Sequence, residues 1–190
     1  MKKHIVFDLE LVKKLRRGGV GVIPTDTIYG VVGSALLPRT VLRIYRLRKR
    51  SLKKPMIVLI GAVPDLKTFG VRLLPTTHSL LTRYWPGKVS IILPIRDTRY
   101  VNRFDHLHRG TKALAFRLPA ARGLRALLQK TGPLVAPSAN PEGTPPARTI
   151  AEAKKYFGDR VDFYVDGGRR NVKPSKLISL LGNVPVVLRK

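Results

Sequence analysis

Residues Arg48 to Lys54 place five cations in seven positions, and Pro55 closes the run. Cations past the end of a helix are favoured by its dipole, so capping explains part of the cluster. Five exceed that need. Their mutual repulsion costs stability unless an anion neutralises the set, and a triphosphate offers charge at a spacing that suits arginine forks and a lysine point charge.

Four other segments carry groups able to share a ligand with this run. Pro24-Thr25-Asp26-Thr27-Ile28-Tyr29-Gly30 offers two hydroxyls, a carboxylate and a phenol beside flexible backbone. That set suits a small polar ligand and equally suits a hydrogen-bonded turn. Pro137-Ser138-Ala139-Asn140-Pro141 sets a hydroxyl and an amide two residues apart in a proline-stiffened loop, able to face a phosphate or ribose. The tripeptide alone is more often an ordinary Asn-Pro turn. Arg117 ends an apolar run and can meet a ligand carboxylate or an acidic neighbour. Ser175, between Lys173 and Lys176, and Arg189 near the terminus fit lids over the same crevice.

Other chemistries are unsupported. The chain lacks cysteine, which removes disulfides, thiolate metal sites and thiol nucleophiles together. His4, His78, His106 and His108 show no metal-ligand spacing with carboxylates, and a solvated role is expected for the last two. Neither Gly-x-x-x-x-Gly-Lys nor Gly-x-Gly-x-x-Gly occurs, so neither a phosphate-loop hydrolase nor a dinucleotide fold is indicated. Trp85-Pro86-Gly87 reads as a helix stop with a packed indole.

The elements that must position these groups follow from periodicity. Asp8 can cap a helix carrying Leu11, Val12 and Leu15 on one face and stopped by Gly18-Gly19, with a strand over Val20–Ile23 after it. The spacing predicts a helix from Pro38 to about Arg50, with Val41, Ile44 and Tyr45 on one stripe and Arg39, Arg43, Arg46 and Arg50 on another. Further helices are expected around Leu124, Leu127 and Leu128, ending near Gly132, and over Ile150–Phe157 behind Thr149. Strands are expected at Met56–Ile60, Val89–Leu93, Ala113–Phe116, Leu134–Ala136, Val161–Val165, Leu177–Leu181 and Val186–Leu188, with a turn at Gly182-Asn183. Alternating strands and helices argue for a mixed α/β sheet covered by helices.

The chain has 190 residues, 44% of them apolar, with 37 Lys and Arg against 11 Asp and Glu, for a formal charge of +26. That size and apolar content fit one globular domain, and no repeat or linker divides it. The charge imbalance makes a polyanion the first partner to consider, against plain solubility. No apolar run approaches the roughly 20 residues that span a bilayer, and Met1 to Glu10 carry charge where a leader would be apolar, so a soluble, cytoplasmic protein without membrane contact is expected.

In order along nearly the whole chain, these segments resemble the YrdC-like family of threonylcarbamoyl-AMP synthases. The family's Pro-Thr-acid-Thr-x-Tyr-Gly is matched at Pro24–Gly30, its Lys-x-Arg followed by Lys or Asn and Pro at Arg48–Pro55, and its Trp-Pro-Gly at Trp85–Gly87. Its Arg-x-Pro is matched at Arg117–Pro119, Ser-x-Asn at Ser138–Asn140 and Asp-Gly-Gly at Asp166–Gly168. Four positions depart: Arg48 stands where Lys is usual, Pro137 where Thr is frequent, Glu142 where Ser is usual and Lys176 where Thr is common.

The resemblance implies a single domain over residues 1–190 with a three-layer α/β fold, a twisted mixed sheet flanked by helices and a basic concave cleft. It implies a nucleotidyltransferase that joins L-threonine, bicarbonate and ATP into threonylcarbamoyl-AMP and pyrophosphate for tRNA threonylcarbamoyladenosine modification. By motif position, Arg48 and Arg50 are the catalytic cations. Arg48, Arg50, Lys54, Ser138, Asn140, Ser175 and Arg189 bind ATP, and Thr27, Tyr29 and Arg117 bind threonine. Mg²⁺ is expected mainly on the ATP phosphates, and the product is expected to pass to a tRNA threonylcarbamoyl-transfer complex. The alternative is a module of the same fold that grips double-stranded RNA or tRNA without turnover; carbamoyl-handling paralogues are a third reading.

Overall fold

A computed structural model of the chain describes residues 7–182 and 184–190; His4 and Asn183, and with Asn183 the expected turn, lie outside them. The helices with clear apolar stripes form where the spacing places them. α1 (Leu9–Arg16) starts at Asp8, whose side chain accepts from the Leu11 N–H, and buries Leu11, Val12 and Leu15. α2 (Pro38–Leu47) opens with proline at its first position, where the missing N–H costs nothing. α6 (Arg122–Thr131) stops at Gly132, and α7 (Ile150–Phe157) is capped by the Thr149 hydroxyl accepting from the Glu152 N–H. Unforeseen are a 3-10 helix at Val63–Phe69 and helices α4 (Thr98–Arg103) and α5 (Asp105–His108), whereas α3 (Pro75–Tyr84) ends at the expected helix stop, with Trp85 as its C-cap and its indole buried.

The strands are β1 (Gly21–Pro24), β2 (Tyr29–Ser34), β3 (Val58–Leu59), β4 (Val89–Pro94), β5 (Ala113–Arg117), β6 (Leu134–Val135), β7 (Phe163–Tyr164), β8 (Lys176–Ser179) and β9 (Val186–Arg189). Among the described residues they form one mixed sheet in the order β7-β1-β2-β6-β3-β5-β4-β8-β9. Hairpin neighbours β1 and β2 run antiparallel, whereas β3 with β5 and β4 with β8 are parallel across longer connections.

Side-chain alternation sorts the central strands onto two faces. Val22, Val31, Val58 and Val135 join one cluster with Val41, Ile44 and Tyr45 of α2. Their neighbours Ile23, Val32, Leu59 and Leu134 join the other, under α1 and α6. A strand side chain points opposite to the next, so a sheet covered on both sides reads as a continuous apolar run. Each fully buried Val or Leu contributes about 1.5–3 kcal/mol. The run Met56–Ile60 behaves this way, although only Val58 and Leu59 pair as strand. Among the described residues no helix is long and apolar enough to cross a membrane.

Two local readings are corrected. The arginine stripe is not continuous: α2 ends at Leu47, Lys49 takes a left-handed backbone (φ 48°), and Arg50 leaves the helix face. Arg43 is bound to Asp162 through Nη1 at 2.6 Å and Nη2 at 2.9 Å. His108 is not solvated but 2% exposed. Its Nδ1 accepts from the Gly110 N–H at 3.0 Å, so its Nε2 carries the proton and donates to the Val101 carbonyl at 2.8 Å. His106 is half-buried, and the ring's desolvation lowers its pKa.

Candidate active site

The Ser138 loop extends the β2–β6 pairing past its last strand residue. Val31 N–H donates to the Pro137 carbonyl and Ala139 N–H to the Tyr29 carbonyl, both at 2.9 Å. The ladder uses the carbonyl of Pro137 and the amide of Ala139, so the proline's missing N–H costs no bond there. This pairing presents Ser138 and Asn140 to the C-terminal end of α2, where Arg48 caps the helix. Arg48 is 3% exposed. Its Nε donates to the Asn140 carbonyl at 3.0 Å, and its Nη2 reaches Ser138 Oγ at 3.1 Å and Asn140 Oδ1 at 3.4 Å. Burial, then neighbouring Arg50, lowers its pKa to about 10, so the guanidinium stays charged at neutral pH while all three of its partners are neutral.

Arg50 stiffens the loop that follows. Its Nε donates to the Lys54 carbonyl and its Nη2 to the Pro55 carbonyl, each at 3.1 Å, and the Tyr45 hydroxyl donates to the same Lys54 carbonyl at 3.0 Å.

Arg117, at the end of β5, is also buried, at 4% exposure, and burial is the first cause of its lowered pKa. Its Nη1 donates to Thr27 Oγ1 at 3.0 Å. Asp26 Oδ1 lies 3.3 Å from Nη2, an ion-pair contact off the hydrogen-bond line, and Asp26 Oδ2 accepts from the Ala120 N–H. The Thr25 hydroxyl donates to the Ile28 carbonyl, so the Thr27 hydroxyl, 3.0 Å away, donates to Thr25. Thr27 therefore orients Arg117, whose Nε has no partner in the protein.

At the opposite edge Arg189 of β9 donates through Nε and Nη2 to the Ser175 carbonyl, at 3.0 and 2.8 Å. The Ser175 hydroxyl lies 2.9 Å from that of Ser90.

These groups surround one cavity of about 430 Å³. Thr27, Tyr29, Arg48, Arg50, Arg117, Ser138, Ser175 and Arg189 line it, and Met56, Ile92, Ala115 and Leu177 give it an apolar surface. Lys54 and Asn140 are not on its wall. The Lys54 ammonium is ion-paired with Glu142. Asn140 spends its amide N–H groups on the Pro141 and Thr144 carbonyls, at 2.9 and 2.6 Å, and so builds the loop that holds Arg48.

The hydroxyl of Tyr29 is committed elsewhere. It donates to the Gly168 carbonyl at 2.8 Å, lies 3.2 Å from Asp166 Oδ1 and accepts from the Gly167 N–H at 2.9 Å, which ties the Asp-Gly-Gly turn to β2. Burial raises its pKa, keeping it neutral. The sequence offers the Asp26 carboxylate within the Pro-Thr-acid-Thr motif without a role, and the structure gives it one beside Arg117; Ser90, which meets Ser175, carries no local signal. Among the described residues no three His, Asp or Glu side chains converge as a metal cage.

A mixed sheet with a cavity walled by four arginines has the charge to suit an anionic ligand. The family profile described as telomere recombination, Sua5/YciO/YrdC, matches residues 13–190, and the chain belongs to that family. It is 32% identical over 166 residues to a threonylcarbamoyl-AMP synthase of Marinobacter nauticus, covering 86% of each chain. With the synthase of Thiobacillus denitrificans it shares 36% over 169 residues and 87% of each chain. Sua5 of Pyrococcus abyssi in complex with L-threonine superposes with a TM-score of 0.81 at 27% identity, over 94% of this chain and 52% of that one.

Proposed function

We propose that this protein is an L-threonylcarbamoyl-AMP synthase, a nucleotidyltransferase acting on L-threonine, bicarbonate and ATP. The observation that carries the reading is the buried Arg48, charged and bound only to neutral partners, facing the same cavity as Arg117 with its unpartnered Nε. One end suits phosphates and the other a carboxylate.

In this assignment Arg117, oriented by Thr27 and Asp26, takes the threonine carboxylate. Tyr29 acts indirectly by holding the Asp166–Gly168 turn. Arg48, Arg50 and Ser138 hold the nucleotide phosphates, with Ser175 and Arg189 on the opposite rim and Asn140 as a positioning residue. The threonine amine takes up bicarbonate to give a carbamate and water. A carbamate oxygen attacks the α-phosphorus of ATP, forming the mixed anhydride as the bond to pyrophosphate breaks. The protein's part is to align two anions and to offset charge on the leaving group with fixed guanidiniums. Mg²⁺ would be carried mainly by the nucleotide's phosphates and would offset part of their charge.

The test is pyrophosphate release from ATP, bicarbonate and threonine. Release that requires threonine is expected; none above a threonine-free control at any Mg²⁺ concentration overturns the assignment.

A second reading, a module that grips double-stranded RNA or tRNA without turnover, rests on the net charge of +26. It requires affinity that falls steeply with salt, with a log–log slope of roughly −0.9 per phosphate neutralised on a duplex. A flat response removes it. A cytoplasmic synthase delivering its product to a tRNA threonylcarbamoyl-transfer complex is compatible with such contact.

A further inference from the structure

Glu142 sits against the densest cation segment of a chain that has only 11 acidic side chains. Its Oε1 pairs with the Lys54 ammonium, and its Oε2 accepts from the Ser51 N–H at 2.8 Å. Its own N–H donates to the Arg48 carbonyl at 2.7 Å. The carboxylate thus joins the cation loop to the Ser138 loop, two segments that contribute cavity wall. An ion pair on an exposed surface stabilises little, so stability alone does not explain the arrangement. A backbone N–H in a turn together with an ammonium, with Arg50 close by, is the donor set that binds a phosphate group.

We propose that Glu142 is an internal anion: it occupies a phosphate subsite formed by Ser51 N–H and Lys54, and competes there with the polyphosphate of an incoming nucleotide. This rests on the nucleotide reading of the cavity. Lys54 is then held in reserve, its charge released to the ligand only when the carboxylate is displaced. Glu142 sets how tightly a triphosphate binds, and with it how readily the leaving pyrophosphate departs.

Titration calorimetry with inorganic tripolyphosphate at fixed ionic strength tests this without turnover. Glu142→Gln keeps an acceptor for Ser51 N–H and removes the charge; Glu142→Ser replaces the carboxylate arm with a short hydroxyl that no longer reaches Lys54. Each is expected to bind tripolyphosphate about fivefold tighter than the parent protein, the scale of removing one like charge near the surface. Lys54→Met is expected to change binding less than about twofold in the parent and to weaken it about fivefold in the Glu142→Gln background, which isolates the coupling.

Unchanged or weaker binding in both Glu142 variants, with melting like the parent's, overturns the proposal. So does an equal Lys54→Met effect in the two backgrounds. If the parent and all variants fail to bind tripolyphosphate, the nucleotide reading falls with it; binding by the parent without a gain in the variants removes only the role of Glu142.

Discussion

Arg48 and Arg117 are nearly equally hidden from solvent, at 3% and 4% exposure, and they line the same cavity. They differ in what surrounds the charge. Arg117 has Asp26 at 3.3 Å and the Thr27 hydroxyl at 3.0 Å. Arg48 has two carbonyl-type oxygens of Asn140 and the Ser138 hydroxyl. Burying a charge is costly unless it is paired, so the first arginine is largely settled by the fold and the second is left for a ligand. The same side chain acts as a structural strut with a spare donor at one end and as an anion receptor at the other.

The contrast predicts opposite effects when each is removed. Arg117→Met leaves Asp26 buried without its cation, and breaking such a pair from one side is expected to cost about 3–5 kcal/mol of stability, read by chemical denaturation. Arg48→Met leaves no unpaired carboxylate and relieves a buried charge, so a smaller change of about 1–3 kcal/mol is expected from its lost hydrogen bonds. Polyphosphate binding and threonine-dependent pyrophosphate release, in contrast, should fall about 100-fold, as for loss of one partner from a desolvated charge contact. Equal destabilisation by the two variants would break the comparison.

How much of this can be read without coordinates depends on how local the cause is. Helices α1, α2, α6 and α7 announce themselves through apolar stripes and caps such as Asp8 and Thr149. Helix α3 shows only its end, at Trp85-Pro86-Gly87: Leu81 is its only buried residue, and α4 buries none, so neither carries a stripe to find.

Strand β2 was hidden by its glycines. Gly33 is small because a Cβ there would lie 2.5 Å from Thr40 Cγ2 of the helix packed on the sheet, a close approach that mimics a loop in the sequence. The members of the candidate site were visible as motif types. The division of labour among them was not, because it is set by partners far away in the chain. Tyr29 meets Gly168 across 139 positions and Lys54 meets Glu142 across 88. No local pattern distinguishes a lysine that awaits a ligand from one already paired.

Asn140 sharpens the comparison from one side. It lines no part of the cavity, yet it supplies an acceptor to Arg48 and ties its loop through two amide donors. Asn140→Ala is expected to lower stability by about 1–3 kcal/mol through the groups left unsatisfied. It should weaken nucleotide binding about tenfold through displacement of Arg48. Added to Arg48→Met it should weaken binding no further, because residues that act as a unit are not additive. A further loss in the double variant would place Asn140 in direct contact with the ligand.

Arg43 supplies the exposed reference for the buried pair, and the smallest effect. Its fork meets both oxygens of Asp162, whose Oδ2 also accepts from the Val20 N–H at 2.7 Å, and both side chains remain more than a third exposed. Hydrogen bonding from Arg43 holds the Asp162 pKa below the ordinary 3.8. A carboxylate with a depressed folded-state pKa contributes stability that is fully present above the unfolded value and is lost as pH falls through the folded one. Asp162→Asn keeps an acceptor for Val20 and removes only the charge. It should therefore cost about 0.5–1 kcal/mol near neutral pH, as solvent-screened pairs do, and the difference should shrink as pH falls below the ordinary 3.8 and through the depressed folded-state value. The Arg117–Asp26 contact, shielded from water, should exceed it severalfold at neutral pH. If Asp162→Asn costs as much as Arg117→Met, burial is not what separates the arginines of this protein.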